Sequence, residues 1–335
     1  TVVTDEWYQS YQTWWKKRHD FEIRKEWLVF CTGVVPAISS IVRKVTTVGE
    51  NVVVLTPVYN IFFNSILNNG RNVDSRLKYD GSRYQIDLDD LEEKLSDPQT
   101  TLFILCNPHN PVGKIWERET LERIGDLCSK HHVLVLSDEI HCDITEPGWE
   151  YTPFASVSKN CRTNSITCVA PTKAFNLAGL QTAAVIVPDD HLRLKVSRGL
   201  NTDEVAEPNV FAAIAPIAAF TCGGEWLDSL RDYLWENRAF AEEYIKKEIK
   251  GISPVFARAT YLLWLDCRNM SGSSTQFCHF IRSHSGLYLS DGNEYRNGEG
   301  FLRMNLACPR QQVEDGLKRL KESVAAYETW AEKQC

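Results

Sequence analysis

No apolar run in the chain approaches the ~18 residues that a membrane-spanning helix requires, and no signal peptide opens it. The charge balance, 37 Lys+Arg against 44 Asp+Glu for a net −7, provides no basic stripe for a nucleic-acid backbone. The short cluster Lys16-Lys17-Arg18 reads as a solvated helix face. Internal repeats and low-complexity tracts are absent. There are eleven cysteines, yet no disulfide or zinc framework, because the number is odd, the spacing irregular and no C-x-x-C pair occurs. Cys278-His279 lacks a second pair with which to hold zinc, so no metal is expected. Cys31, Cys106, Cys168 and Cys267 lie inside apolar runs, where cysteine behaves as a small hydrophobe. The set reads as reduced thiols, and the expected compartment is the cytoplasm. Thr1 is not an initiator methionine and the chain opens almost directly into a helix, so an upstream part is expected to be missing.

What is present is the composition of an ordinary globular protein, 335 residues with 43% hydrophobic and 24% charged side chains. A first helix is expected to about Arg18, with Trp7, Tyr11, Trp14 and Trp15 on its apolar face. After extended residues 27–31, Gly33 starts a helix running to about Val48. Strand and helix then alternate. Strands are predicted at 52–55, 71–77, 101–106, 133–137, 165–169 and 182–187, with helices at about 58–68, 88–95 and 117–131. Continuous apolar strands between helices imply a mostly parallel sheet covered on both faces, an α/β fold. Residues 208–250 read as helical with a break near Cys222-Gly223-Gly224. Strands at 253–257, 261–267 and 301–306, with helices near 274–283 and after Pro309, complete a smaller α+β unit. The expected boundary divides a large domain, 1–245, from a small C-terminal one, 246–335.

Ligands of such sheets gather at the carboxyl ends of the strands. Four chemistry-bearing groups fall there: Tyr59 after 52–55, Asn110 in Asn107–Gly113 after 101–106, Asp138 after 133–137, and Lys173 after 165–169. Singly, each also reads as a turn, a helix cap, core or a solvated lysine. The segment Ala170-Pro171-Thr172-Lys173-Ala174-Phe175-Asn176-Leu177-Ala178-Gly179-Leu180-Gln181 is the most informative. It sets an amine between two apolar strands, with hydroxyls and amides nearby for an anion and a glycine expected to mark a close backbone approach. Those are the parts a pyridoxal 5'-phosphate (PLP) enzyme needs.

Together with Ser137–Asp143 and Phe301–Arg310, these motifs make the chain resemble the fold-type I PLP enzymes of the aspartate aminotransferase superfamily. Within it, the chain is most similar to the MalY/PatB-type cystathionine β-lyases, or cysteine-S-conjugate β-lyases. The resemblance implies that Lys173 holds PLP covalently, Asp138 pairs with the pyridine nitrogen, Asn110 bonds the phenolic oxygen with His141 near it, and Tyr59 stacks on the ring. It also implies a phosphate cradle from Gly33, Val34, Val35 and Thr172, and Arg303 as the grip on the substrate α-carboxylate. Arg310 is left as structural. Many aminotransferases carry an arginine eight residues after the lysine; here Gln181 stands there, which favours the lyase branch.

The implied reaction is elimination of a thiol from L-cystathionine, L-cysteine or a related conjugate, with Lys173 as base and Tyr59 as an aid to the leaving sulfur. An aminotransferase on the same fold, or a PLP-fold regulatory binding protein, are the alternatives. The partners expected are a small amino-acid thioether or thiol substrate and a second copy of the chain. A homodimer is expected, with Trp7, Trp14 and Trp15 placing the first helix at or near its interface.

Overall fold

A computed structural model describes residues 3–332. The chain runs through α1 (Asp5–His19), β1 (Leu28–Cys31), α2 (Val34–Val45), β2 (Asn51–Thr56), α3 (Ile61–Leu67), β3 (Arg71–Arg76), β4 (Lys78–Tyr79), β5 (Tyr84–Gln85) and α4 (Leu88–Leu95). It continues through β6 (Thr100–Cys106), α5 (Arg118–Lys130), β7 (Leu134–Asp138), α6 (Phe154–Val157), α7 (Lys159–Thr163), β8 (Ser165–Val169), β9 (Ala183–Ile186) and α8 (Asp190–Thr202). The remainder is α9 (Val210–Cys222), α10 (Gly224–Glu248), β10 (Ser253–Pro254), β11 (Leu262–Asp266), α11 (Ser274–Ser285), β12 (Ser290–Asp291), β13 (Phe301–Asn305) and α12 (Arg310–Glu332).

Seven strands form the main sheet in the order β1-β9-β8-β7-β6-β2-β3. The five from β8 to β3 are parallel, while β9 pairs antiparallel with both β8 and β1. Alternation along β2 shows why such strands read as unbroken apolar runs. Val52 and Val54 enter the core under α2 and α3, while Val53 and Leu55 enter the core under α4 and α5. A second, antiparallel sheet of order β10-β11-β13-β12 is covered by α11 and α12. The break expected near Cys222 is present as a 78° bend between α9 and α10. The proposed boundary near residue 245 falls inside α10, whose Leu234 joins the core around α1 while Ala241 and Ile245 join the core of the second sheet.

Two expectations need correction. Trp7, Trp14 and Trp15 do not form an outer surface: they are 0%, 3% and 0% exposed, buried within the same chain. Phe220 of α9 receives Trp14 and Trp15, with ring centroids 5.0 Å and 5.6 Å away, and Tyr11 at 4.9 Å, while Trp7 packs on Tyr11 (4.6 Å) and Phe30 (6.0 Å). They therefore say nothing about a dimer interface. Gly179 does not mark a close approach either, since a Cβ there would meet nothing within 4 Å. Ten cysteines are free thiols, and Cys335 lies outside the described residues. No single helix among the described residues is long and apolar enough to cross a membrane.

Candidate active site

The parallel strands end on one edge of the sheet, and the turns that follow them carry the polar side chains. Asp138 is the last residue of β7, locked to its neighbours because Asn107 N–H donates to its carbonyl at 2.9 Å and Glu139 N–H donates to the carbonyl of Cys168 at 2.9 Å. Lys173 sits in a turn after β8 closed by Phe175 N–H to the Pro171 carbonyl (2.9 Å) and Leu177 N–H to the Thr172 carbonyl (3.0 Å). Tyr59 follows β2 and Asn110 follows β6, while β13 of the second sheet brings Arg303 across to them. All ten residues singled out in the sequence line one cavity of about 460 Å³: Gly33, Val34, Val35, Tyr59, Asn110, Asp138, His141, Thr172, Lys173 and Arg303.

Electrostatics within the cavity distinguish these groups. Burial pushes the Asp138 carboxyl up to about 6, with the nearby Lys173 charge pulling the other way. Its carboxylate accepts from Ile140 N–H at 3.1 Å and enters no ion pair among the described residues. Burial, with the Lys173 and Arg303 charges, depresses His141 to about 3, so its ring is neutral, and its Nδ1 is buried without a partner. Burial also raises the phenols of Tyr59 and Tyr261, which stay protonated at neutral pH. Arg303 likewise has no carboxylate partner among the described residues. It donates to Asn110 Oδ1 and Ser290 Oγ, both at 3.4 Å, and lies 4.9 Å from the centroid of Tyr295. Because Asn110 Oδ1 is occupied by Arg303, its NH₂ is the group available to donate elsewhere.

Such a set is incomplete without a ligand. A buried carboxylate with one backbone donor calls for a cationic or N–H partner, and a half-buried arginine without an acid calls for an anion. The backbone amides at the start of α2 are free of intrahelical bonds and border the same space, as does the Thr172 hydroxyl. A heteroaromatic ring bearing an aldehyde, a nitrogen and a phosphate fits this donor set.

Several contributors escaped the sequence. Tyr261, Asn305, Cys106 and Thr32 also line the cavity, and Tyr261 lies edge-on to His141 with centroids 5.9 Å apart. Glu139 lies behind it, fully buried and raised to about 7 by burial. It accepts from Ser137 Oγ (2.8 Å), Tyr151 Oη (3.1 Å), Phe154 N–H (2.9 Å) and Asn107 Nδ2 (3.4 Å). An acidic residue directly after an apolar strand was the available signal for Glu139. Cys106 ends β6 directly before Asn107–Gly113, Asn305 belongs to the pattern around Arg303 and Thr32 precedes Gly33, so these three stood beside marked positions. Tyr261 gave no signal, because a pairing between distant segments brings it to the cavity.

This α/β architecture, with the mostly parallel sheet and the smaller antiparallel one, is that of the fold-type I PLP enzymes. Residues 2–320 match the family described as aminotransferase class I and II, and the chain belongs to that family. Cystathionine beta-lyase PatB of Bacillus subtilis (strain 168) is 42% identical over 315 residues, covering 93% of this chain and 81% of PatB. Protein MalY of Escherichia coli (strain K12) is 31% identical over 327 residues, covering 96% and 83% of the two chains. Among solved structures, cystalysin of Treponema denticola, which contains a pyridoxal 5'-phosphate cofactor, superposes with a TM-score of 0.95 at 29% identity. That likeness covers 97% of this chain and 83% of cystalysin.

Proposed function

We propose that the protein is a PLP-dependent carbon–sulfur lyase that cleaves the Cβ–S bond of L-cystathionine, L-cysteine or a related conjugate. Its products are a thiol (hydrogen sulfide from cysteine), pyruvate and ammonia. The observation that carries this reading is that Lys173, Asp138 and Arg303, none paired with an opposite charge at hydrogen-bond distance among the described residues, line one cavity. The 42% identity to PatB supports the carbon–sulfur chemistry. Gln181 in the cavity wall, where many aminotransferases hold an arginine, supports it further.

Lys173 would hold the cofactor covalently and, once displaced by the substrate amine, would take the α-proton. Asp138 would face the ring nitrogen and keep it protonated. The Asn110 NH₂ would donate to the phenolic oxygen, with the neutral His141 beside it and Tyr59 against the ring face. Amides of Gly33, Val34 and Val35 and the Thr172 hydroxyl would receive the phosphate. Bound PLP supplies the electron sink that makes the α-proton removable. Arg303 would hold the substrate α-carboxylate by two N–H groups of its planar fork. The Cα–H and Cβ–S bonds break, a Cα=Cβ bond forms, and sulfur leaves with the electron pair. Tyr59, kept protonated by burial, would give the sulfur its proton. The released enamine hydrolyses to pyruvate and ammonia.

The homodimer belongs to the same proposal. Its support is the exposed apolar face of α9, where Val210, Phe211 and Ile214 are 65%, 67% and 57% accessible. A fully active monomer by light scattering would remove it.

Product analysis tests the function. Incubation of the holoenzyme with L-cystathionine and no keto acid should yield thiol, pyruvate and ammonia in equal amounts. Amino-group transfer that depends on an added keto acid, without pyruvate release, would overturn the lyase in favour of an aminotransferase.

A further inference from the structure

Behind the loop that carries Asn110 lies a second cavity, of about 340 Å³, which shares no lining residue with the catalytic one. That volume falls within the roughly 300–1,000 Å³ common for small-molecule sites. The walls come from four separated stretches, at residues 83–84, 112–118, 149–152 and 256–258. They are fixed by backbone contacts. Arg258 N–H and Ala259 N–H both donate to the Gly113 carbonyl at 3.0 Å, and Phe256 N–H donates to the Ser82 carbonyl at 3.1 Å. Gly113 has φ +67°, and a Cβ there would lie 2.6 Å from both the Ala257 Cβ and the Ala259 oxygen, so this approach requires glycine.

Two properties of the lining point to a ligand class. The first is aromatic surface left in water: Trp149 is 48% exposed and Phe256 38% exposed. The Arg258 guanidinium lies 4.5 Å and 4.7 Å from their ring centroids, and Arg83 lies 4.2 Å from that of Phe256. The second is positive charge. Arg258 pairs with Glu146, and Lys114 with Glu117. Arg83 and Arg118 have no carboxylate partner among the described residues, and Glu150 is the other acid in the wall. Arg118 spends one nitrogen on the carbonyls of Ser156 (3.4 Å) and Val157 (2.7 Å), which fixes its direction.

We propose that this cavity is a ligand site separate from the catalytic pocket and takes a small aromatic anion. A flat ring packs against the parts of Trp149 and Phe256 that the Arg258 and Arg83 guanidinium groups leave exposed, and its single carboxylate or phosphate group meets Arg83 and Arg118.

Calorimetric titration of the holoenzyme with benzoate and, separately, with phenyl phosphate tests this. The titrations use the Arg303→Gln background, so that the arginine of the catalytic cavity cannot capture the probe. At least one probe is expected to bind one-to-one, and its affinity should fall roughly tenfold or more when Arg83→Gln or Trp149→Ala is added. Preference for one probe assigns the anion. Restoration by Arg83→Lys in place of Arg83→Gln would separate a lost charge from a disturbed fold. Absence of binding by both probes, or affinity that survives Arg83→Gln or Trp149→Ala, overturns the proposal.

Discussion

Replacing Asp138 with asparagine isolates the cost of a buried charge that the cofactor is proposed to meet. Asp138 is 4% exposed, and burial raises its carboxyl from the ordinary 3.8 to about 6. An acid whose pKa rises on folding binds more protons folded than unfolded between those two values. Stability therefore falls as pH climbs from about 4 to about 6 and stays lower above that. At about 1.4 kcal/mol per pH unit, the span corresponds to about 3 kcal/mol. The cofactor-free Asp138→Asn protein has no such charge. It should exceed the cofactor-free wild type by up to about 3 kcal/mol at pH 8, and by close to nothing at pH 4. Urea unfolding followed by circular dichroism at several pH values measures the difference. Glu139 titrates in both proteins and cancels. In the holoenzyme the same substitution should lower turnover by several orders of magnitude, because the charge opposite the ring nitrogen is gone. A cofactor-free variant no more stable than wild type at pH 8, or a difference that ignores pH, would mean that Asp138 carries no buried-charge penalty.

Lys173→Ala should abolish pyruvate release, since no other lysine among the described residues lines the cavity; a rate near wild type would remove Lys173 from the mechanism. Arg303→Lys should raise KM for an amino-acid substrate by about ten- to a hundredfold, because a point charge cannot replace a planar fork. An unchanged KM would reassign Arg303 to structure. Glu139→Ala leaves the Ser137 and Tyr151 hydroxyls and the Phe154 N–H without that acceptor, while Asn107 Nδ2 keeps the Thr152 carbonyl. It should cost about 3 kcal/mol in urea unfolding at pH 4, where no buried charge is relieved. A loss below about 1 kcal/mol would mean that those donors find other partners.

The edge that carries the candidate site could be read from the sequence because its positions are tied to strand ends. Strands β2, β6, β7 and β8 are buried on both faces, so their apolar runs stop where the sheet stops. Tyr59, Asn110, Asp138 and Lys173 follow those stops. Arg303 has no such local mark and came only from the family pattern around it. Strand direction was not readable, because nothing local to Ala183–Ile186 records that it runs against β8. The tryptophans of α1 illustrate the same limit. Their spacing says that the face is buried, but its partner, Phe220, lies some two hundred residues away in the same chain. Tyr261 is held at the cavity by the Leu306 N–H, which donates to its carbonyl at 2.9 Å, and a pairing between distant segments leaves no trace in either one alone.

Borohydride reduction of the holoenzyme, followed by peptide mapping by mass spectrometry, tests most directly the claim that Lys173 carries PLP in this cavity. A pyridoxyl phosphate adduct is expected on the peptide containing Lys173 and on no other lysine. An adduct elsewhere, or none on a protein that retains lyase activity, would contradict it.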